Sequence, residues 1–467
     1  MPTVSSIHAA CIGTSSHVQT HFTEAQRRNP AIQVADEVLR KCVHCGFCTA
    51  TCPTYRLTGD ERESPRGRIS LIQNLLESGA APSPDTVANL DHCLSCLACE
   101  STCPSGVSYR RLIDQGRELI EDKYQRPLVE RTTRNFLAWL LPRDRWFRRA
   151  LILGRWTRPL LNRLGRHLPV AGAMARILPD RLPGYSADNP AVLPGVYLAN
   201  GEELMRVGLI TGCVQSVLAP EIDAAMVRVL TRHGCTVVVP ESSAAGCCGA
   251  LSHHMGRTAQ ARDTALANLR AWDATLAQPQ DSDEGKIEAV VMAASGCASM
   301  LKDYPSLLDG SKKAENISLL IKDISIILNN LVKIKNPQTR DKALTGAAVA
   351  WQSPCSLQHG MQEQNAPVEL LRSLGFNVRQ PRDAHLCCGS AGTYNLLQPA
   401  FAQTLGTEKM SRLLETRADM IVSGNIGCIS QLRSQGRSQN ATETVPPVIH
   451  LAELVDWATG GPKPPAL

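Results

Sequence analysis

The chain has 467 residues, of which 43% are hydrophobic and 20% are charged, and its formal net charge is +6. This is the composition of a folded globular protein, which excludes a disordered or fibrous chain. The length is too great for one compact core and fits about three domains. Cysteine is the exceptional residue: 18 cysteines indicate either a disulfide framework or metal ligation, and their spacing must decide between the two.

The N-terminal segment predicts where the protein resides. Its first residues, MPTVSSIHAACIGTSSHVQTHF, lack the basic stretch and following apolar stretch of a secretory signal. We therefore expect a cytoplasmic protein, in which reducing conditions favour metal ligation or redox chemistry over disulfides. No apolar run reaches the roughly 18 residues that span a bilayer, so we expect any contact with the inner face of the cell membrane to be peripheral.

Two matched cysteine runs lie near the N-terminus. Residues 1–33 are polar and unpatterned, and we expect a mobile tail in which Cys11 is an unligated thiol. Residues 34–125 predict a mostly helical domain interrupted by two runs of the form C-x-x-C-x-x-C-x-x-x-C-P. The two-residue gaps let one loop wrap three thiolates around a 4Fe-4S cluster, and the fourth cysteine of such a run ligates the other cluster. The runs therefore predict two clusters, the first held by Cys42, Cys45, Cys48 and Cys103 and the second by Cys52, Cys93, Cys96 and Cys99.

Zinc is the alternative occupant of these runs. Pairs of the form C-x-x-C also bind zinc, and eight thiolates would suffice for two zinc sites. Two matched runs of four cysteines, each followed by proline, are instead the ferredoxin pattern. His44 and His92 lie within or beside the runs and could in principle be ligands. Because all eight cysteines are present, we expect these histidines to serve packing or hydrogen bonding.

Residues 126–200 form a predicted basic helical segment that ends in a linker. Between Arg131 and Arg181 there are twelve arginines and two aspartates, interleaved with tryptophans and leucines in an amphipathic pattern. The prolines and glycines between Leu178 and Gly195 favour a linker. We expect the helices to dock on anionic lipid or on an acidic partner, with a solvated bridge between domains as the alternative. Nucleic acid is not expected as a partner, because no recognition motif accompanies the charge.

The rest of the chain contains an internal repeat, with copies at 201–337 and 338–467. Each copy predicts a strand, a cysteine, a helix, a strand, Cys-Cys-Gly, a helix, a strand and a last cysteine. Alternating strands and helices predict a parallel sheet, with the cysteines just beyond the carboxyl ends of strands, where α/β sheets usually have their sites. The predicted fold class is mixed: a mostly α-helical ferredoxin-type domain followed by duplicated α/β Cys-Cys-Gly domains.

The four cysteines of each copy could form one further site. A glycine after two adjacent cysteines permits the tight turn that brings both sulfurs together, whereas burial for packing alone is the alternative. A third cluster, another metal and a reversible dithiol pair all suit such thiols. The tighter spacing of the second copy makes it the better candidate. The possible sites are, in this order, Cys355, Cys387, Cys388 and Cys428, and then Cys213, Cys247, Cys248 and Cys297.

Several cofactor motifs are absent from the sequence. No G-x-G-x-x-G follows a predicted strand, and there is neither a P-loop nor an H-E-x-x-H motif. Hydride chemistry needs a flavin or a nicotinamide. We therefore expect no flavin on this chain and a role in carrying electrons away from a partner that binds one.

These residues resemble a known family, the iron-sulfur subunits of bacterial glycolate oxidase. The resemblance extends from about Gln19 to the C-terminal region, and the stretches that carry it are LRKCVHCGFCTATCPTY, SPRGRISLI, CLSCLACESTCPSGV, CCGSAGTYNLLQP and SGNIGC. It implies a glycolate oxidase or dehydrogenase complex in which FAD-containing subunits oxidise glycolate to glyoxylate. This chain would then pass the electrons to a membrane acceptor such as quinone.

Wider relatives supply the alternative functions. They include subunits of anaerobic glycerol-3-phosphate dehydrogenase, lactate-utilisation proteins and heterodisulfide reductase, whose repeats are catalytic. The alternatives are therefore electron transfer in a D-lactate or glycerol-3-phosphate dehydrogenase and catalysis of the heterodisulfide reductase type. In heterodisulfide reductase the repeats end in C-x-x-C, whereas the copies here end as Cys297-Ala-Ser-Met300 and Cys428-Ile-Ser-Gln431. The missing fifth cysteine argues against catalysis of that kind.

Overall fold

A computed structural model describes residues 18–179, 184–241, 246–276, 286–335, 344, 346–438 and 445–467. The chain forms two units, residues 1–124 and 125–467. The helices of the first unit are α1 (Glu24–Arg27), α2 (Pro30–Arg40), α3 (Phe47–Ala50), α4 (Pro53–Thr58), α5 (Pro65–Ser78), α6 (Pro84–Asp91), α7 (Ala98–Thr102) and α8 (Tyr109–Lys123), with a 3₁₀ turn at Glu61–Glu63. The expectation of a mostly helical N-terminal domain is confirmed.

The expected tail is wrong for the part that the structure describes. Two helices, α1 and α2, begin within it, and Phe22 is buried in the core of this unit. Polar composition concealed the helices, because Thr23 and Asn29 are capping residues that accept hydrogen bonds from backbone N–H groups of the first turns. Residues 1–17, which include Cys11, lie outside the described residues.

The core of the first unit joins the helices that flank the two cysteine runs. Apolar residues of α2, α5, α6 and α8 pack together, and Leu39, Ile72, Leu90 and Leu112 are fully buried there. Cys42, Cys93 and Cys99 belong to the same cluster of buried residues. The runs are therefore fixed on the core and are not exposed appendages.

The second unit begins with four helices and continues with the two repeats. Its first four helices are α9 (Leu128–Leu140), α10 (Asp144–Trp156), α11 (Arg158–Leu164) and α12 (Pro169–Ile177). The first repeat contains β1 (Gly195–Tyr197), β2 (Met205–Leu209), α13 (Gln215–Leu218), α14 (Pro220–Arg232), β3 (Cys235–Val239), α15 (Ala250–His254), α16 (Thr258–Leu276), β4 (Ala289–Met292), α17 (Ser295–Lys302), α18 (Tyr304–Leu307), α19 (Lys312–Leu320), β5 (Ile321–Asp323) and α20 (Ile324–Lys335).

The second repeat has the same order with fewer elements. It contains β6 (Ala348–Gln352), α21 (Ala366–Ser373), β7 (Asn377–Arg379), α22 (Tyr394–Leu397), α23 (Pro399–Leu414), β8 (Met420–Ser423), α24 (Ile426–Ser438), β9 (Val448–His450) and α25 (Leu451–Ala458). A π-helical turn, Ser356–Gly360, follows its first cysteine.

Both repeats form sheets, as the sequence predicts. The first sheet has the order β1-β3-β2-β4-β5 and the second the order β7-β6-β8-β9. All described pairings are parallel except that of β1 with β3, in which Gly195 lies opposite Val239. This edge strand begins at Gly195, the last residue of the expected linker, and its N–H and C=O groups satisfy the edge of β3.

The two copies share one core. Val207 and Leu209 of the first sheet belong to the same buried cluster as Val349 and Trp351 of the second, together with residues of α14, α20, α21 and α25. An ion pair adds to this interface, because the buried Asp456 carboxylate binds both Arg228 and Arg232. The expected boundary between the copies, at 337/338, lies outside the described residues.

The basic helices have one packed side and one open side. Leu137, Phe147 and Leu151 are buried against Val217 and Leu251, which follow the first cysteine and the Cys-Cys-Gly turn of the first repeat. On the open side, Trp146 is 50% and Trp156 85% exposed. Among the described helices, none combines the length and apolarity needed to cross a bilayer.

Candidate iron-sulfur sites

The two cysteine runs of the first unit share one backbone conformation. Both residues that flank the second cysteine have positive φ: His44 at 53° and Gly46 at 84° in the first run, Ser95 at 50° and Leu97 at 64° in the second. Side chains other than glycine rarely adopt this left-handed region, and a leucine does so only where the surrounding structure enforces it. The conformation aims backbone N–H groups at sulfur, and the Ser95 N–H lies 3.4 Å from Cys93 Sγ.

The first cavity brings together the first predicted set of four cysteines. Its lining includes Cys42, Cys45, Cys48 and Cys103, with Cys99 also contributing, and contains no carboxylate. Burial, followed by the proximity of the other sulfurs, raises the pKa of the Cys48 thiol to about 11. Such thiols are held close together in a site that disfavours their charge unless a cation or metal offsets it.

The second cavity brings together the second set. Its lining includes Cys52, Cys93, Cys96 and Cys99, and again contains no carboxylate. Burial raises the pKa of Cys99 well above its usual value, and the neighbouring sulfurs of Cys96, Cys93 and Cys52 act in the same direction. Four thiols without carboxylates are the donor set that iron-sulfur clusters use, so the residues of both cavities fit a cluster.

The two histidines near the runs differ in which atoms make hydrogen bonds. His92 Nδ1 lies 2.7 Å from Glu63 Oε1. The backbone carbonyl of His44 accepts a hydrogen bond from Arg66 Nη1 at 3.1 Å. The bond to the His44 carbonyl fixes the left-handed loop of the first run. The bond to the His92 ring fixes the end of α6 next to the second run.

In the second repeat, all four predicted cysteines meet at the carboxyl ends of strands. Cys355 follows β6, the adjacent pair Cys387 and Cys388 follows β7, and Cys428 lies in the first turn of α24, after β8. Cys355 Sγ and Cys387 Sγ are 3.8 Å apart. Hydrogen bonds donated by Cys387 and Cys428 lower the pKa of Cys388 well below its usual value.

The first repeat has the same arrangement. The Cys213 thiol hydrogen-bonds Cys247, which lowers the pKa of Cys247 to about 7, and the Cys248 thiol hydrogen-bonds Cys297. The glycine after each adjacent pair is left-handed, as the tight turn requires: Gly249 has a φ of 82° and Gly389 a φ of 83°.

A buried position beside the sulfurs carries a charge in one repeat site and not in the other. Lys409 of α23 is buried, and its Nζ donates to the carbonyl of Ala384 at 2.9 Å, beside all four sulfurs of the second site. Burial lowers the pKa of Lys409, and the sulfurs oppose that effect. In the first site, the corresponding place on α16 holds the neutral Asn268, which donates to the Cys247 carbonyl and to Tyr304 Oη. Only the second of these two sites has an ammonium group at this position.

Comparison with known proteins finds known domains at the cysteine runs and at the two repeats. The model of the 4Fe-4S dicluster domain matches residues 38–107, and the model of the cysteine-rich domain matches residues 207–302 and 349–433. The glycolate oxidase iron-sulfur subunit of Escherichia coli is 38% identical over 94% of this chain and 99% of its own length. A probable glycolate oxidase iron-sulfur subunit of Bacillus subtilis is 30% identical over 90% of this chain and 94% of its own length. Lactate utilization protein A of Geobacillus kaustophilus is 26% identical, over 54% of this chain and 99% of its own length.

This chain belongs to the family of glycolate oxidase iron-sulfur subunits. Membership confirms the resemblance and the predicted class of cofactor, since the matched dicluster domain contains all eight cysteines of the two runs. A member of this family is an iron-sulfur electron-transfer subunit of an oxidoreductase complex, which favours iron-sulfur clusters over zinc in the two cysteine runs.

Sequence reasoning missed the residues that surround the sulfurs. Arg68, Tyr109 and Lys409 lie against predicted cysteines, yet none belongs to a cysteine motif. For Arg68, a signal existed in the stretch SPRGRISLI, which carries part of the family resemblance. For Lys409, there was none, because it lies 21 residues after Cys388, on a helix whose pattern predicts only packing.

Proposed function

We propose that this chain carries electrons from FAD-containing glycolate oxidase subunits, which oxidise glycolate to glyoxylate, to a membrane acceptor such as quinone. The observation that carries the proposal is a pair of four-cysteine cavities in a chain that matches a glycolate oxidase subunit over nearly its full length. Bound 4Fe-4S clusters supply one-electron transfer. The chain's own residues hold the thiolates, bury Cys42, Cys52, Cys93 and Cys99, and donate hydrogen bonds to sulfur.

Glycolate is favoured over D-lactate as the substrate of the complex. The relatives named for glycolate oxidase match 90% or more of this chain, whereas the lactate utilization protein matches 54% of it. In this proposal the substrate binds to the partner subunits, so this chain affects the choice of substrate only through the partner that it binds.

The complex, purified anaerobically through a tag on this chain, should contain FAD. Added glycolate should reduce its iron-sulfur centres within the dead time of manual mixing, and D-lactate should reduce them at least tenfold more slowly. Electron paramagnetic resonance after rapid freezing measures this directly. The isolated chain, which has no flavin in this proposal, is the control and should stay oxidised. Absence of flavin from the complex, or faster reduction by D-lactate, would contradict the proposal.

Crossed ligation is proposed for the two clusters of the first unit. Cys103 belongs to the second run by sequence but lines the first cavity, and Cys52 belongs to the first run but lines the second. Each cluster would thus be held by three cysteines of one run and the last cysteine of the other, which ties the two runs into one fold.

Replacing Cys103 by serine should therefore damage the cluster held by Cys42, Cys45 and Cys48, because serine is a poorer iron ligand than cysteine. The matched variant Cys52→Ser should damage the other cluster. Iron content and the paramagnetic spectra of the reduced variants distinguish the two losses. If each serine instead removed the cluster of its own run, the ligand sets would be wrong.

Catalysis of the heterodisulfide reductase type has less support. The fifth cysteine of each repeat is replaced by Met300 and Gln431, and both side chains are buried. The Gln431 amide is engaged, since its Nε2 donates to the Ala402 carbonyl at 2.9 Å and its Oε1 accepts from Asn395 at 3.2 Å. These positions serve packing and hydrogen bonding, which supports a role in electron transfer or assembly.

We also propose that the second repeat binds metal through Cys355, Cys387, Cys388 and Cys428, and that the first repeat, with Cys213, Cys247, Cys248 and Cys297, is the weaker candidate. Two thiolates bound at about 2.3 Å to one tetrahedral ion lie roughly 3.8 Å apart, which is the separation of Cys355 and Cys387. The Lys409 ammonium would offset the negative charge of a thiolate site, whereas Asn268 cannot.

Substitution of both Cys387 and Cys388 by serine should lower the metal content of the full chain below that of the natural protein. The same substitution at Cys247 and Cys248 is the matched control and should lower it less. Elemental analysis for iron and zinc also identifies the occupant. Equal metal content in all three proteins would leave the repeats as a thiol-lined assembly module.

A peripheral membrane contact through the basic helices is the last part of the proposal. The open side of α9–α11 presents apolar groups, among them Leu153 and Trp156, next to arginines. Arg143 lies 5.2 Å from the ring centre of Trp139, and Arg149 lies 5.0 Å from that of Trp146. Aromatic rings beside cations suit the interface of an anionic bilayer, where both apolar burial and charge attraction contribute.

Charge reversal at Arg145, Arg148 and Arg149 should weaken binding to anionic vesicles by about 100-fold or more, since each basic residue near such a surface contributes about 1 kcal/mol. Vesicle co-sedimentation measures the effect. Reversal of the exposed Lys312 and Lys313 on α19 is the control and should change binding much less. Unchanged binding of the arginine variant would remove the membrane role.

A further inference from the structure

A buried arginine lies against the second cavity of the first unit. Arg68 is only 1% exposed, although it carries a full charge. Its Nη1 lies 3.8 Å from Cys52 Sγ. The remaining donors are fixed by other partners: Nε donates to the Asn89 carbonyl at 2.7 Å, and Nη2 donates to Thr54 Oγ1 at 3.0 Å and to Glu63 Oε2 at 2.6 Å. The planar guanidinium is thus held in one orientation towards the sulfur.

Stability alone does not account for this arrangement. A buried ion pair such as Arg68 with Glu63 loses hydration on both sides, and well-packed apolar residues often replace such a pair without loss of stability. The position of the cation beside a ligand sulfur therefore indicates a role at the cluster. A second buried side chain, Tyr109, adds to it, because its hydroxyl lies 3.7 Å from Cys93 Sγ.

The first cavity is surrounded differently. Its nearest arginine, Arg66, is partly exposed: its side-chain Nη1 donates to the carbonyl of His44, while its backbone N–H donates to the Cys48 sulfur. Cys45 is exposed, whereas Cys52 and Cys93 are buried. The second cluster would therefore lie in a drier environment than the first.

Dryness and hydrogen bonding act on the reduction potential in opposite directions. Reduction adds one electron, and hence one negative charge, without making or breaking a bond. A dry site opposes that charge and lowers the potential, whereas a cation and N–H or O–H donors at the sulfurs raise it. When Cys52 is a ligated thiolate, it can only accept hydrogen bonds, and Arg68 Nη1 is in reach to donate one. The nearby Thr54 hydroxyl donates to the Glu63 carbonyl at 2.9 Å instead.

We propose that Arg68 raises the reduction potential of the second cluster through Cys52, and that Glu63 limits the increase by partly offsetting the guanidinium charge. The inference rests on the cluster ligands proposed above. Arg68 is a positioning residue in this account, since it acts through the thiolate and touches neither substrate nor flavin. Because Arg68 raises the potential of the second, more buried cluster, the electron donor that reduces the first cluster can also reduce the second.

The test is a redox titration of the full chain, followed by paramagnetic resonance, with each signal assigned through the Cys103→Ser and Cys52→Ser variants. Arg68→Met should shift the potential of the second cluster downwards by at least the equivalent of a tenfold change in its one-electron equilibrium, about 59 mV. Glu63→Gln should shift it upwards. Arg66→Met is the matched control and should leave the second cluster unchanged.

A double variant covers the case in which Arg68→Met damages folding, because that change leaves the Glu63 carboxylate buried without its arginine. Arg68→Met combined with Glu63→Gln removes both charges. The reduction potential of the second cluster in this double variant should be lower than in the natural protein. An unshifted potential at full iron content in the double variant, or shifts of the same sign for Arg68→Met and Glu63→Gln, would overturn the inference. A natural protein without iron would instead overturn the proposed function, so the two failures are distinguishable.

Discussion

Burial of clustered thiols is the constraint on which the rest of the structure depends. Burial disfavours ionisation of the sulfurs, and the proximity of the other sulfurs adds to that effect, so the pKa values of Cys48 and Cys99 are raised. A fold that gathers sulfurs in this way must supply compensation for the charge. The protein has three kinds of compensation: backbone N–H groups in left-handed loops, buried cations, and the metal that the thiolates are expected to bind.

These forms of compensation are distributed unevenly among the sites. The two runs of the first unit share the same left-handed loops, but only the second cavity has a buried guanidinium at 3.8 Å from a sulfur. The two repeats share the Cys-Cys-Gly turn, but only the second has Lys409 where the first has Asn268. Each pair of sites thus shares a cysteine framework, and residues beside the sulfurs, Arg68 and Lys409 among them, distinguish one site from the other.

The cysteine framework could be predicted from the sequence because spacing is a local property. The interval between cysteines in each run predicts a wrapping loop, and the alternation of apolar strands and helices predicts parallel sheets, which the structure contains. The left-handed glycines at 249 and 389 follow equally from local chemistry. The early helices α1 and α2 were missed because their caps, Thr23 and Asn29, also occur in unpatterned polar segments.

The surroundings of the sulfurs could not be predicted, because they depend on long-range packing. Arg68 reaches Cys52 from a helix sixteen residues away in sequence. Lys409 reaches its site from α23, and its counterpart Asn268 lies on the equivalent helix without any shared sequence signal. Charge and hydrogen bonding at these positions are decided by the fold, and the proposal for Arg68 assigns them the tuning of one cluster relative to the other.

Quantification of iron and acid-labile sulfide after anaerobic purification, together with paramagnetic resonance of the reduced chain, tests the central claim most directly. Two 4Fe-4S clusters predict about eight iron and eight sulfide per chain from the first unit, and a spectrum broadened by interaction between two nearby centres. Metal bound in the second repeat would add to that total. Zinc in place of iron, with no sulfide and no paramagnetic signal after reduction, would contradict the account of this chain as an iron-sulfur electron carrier.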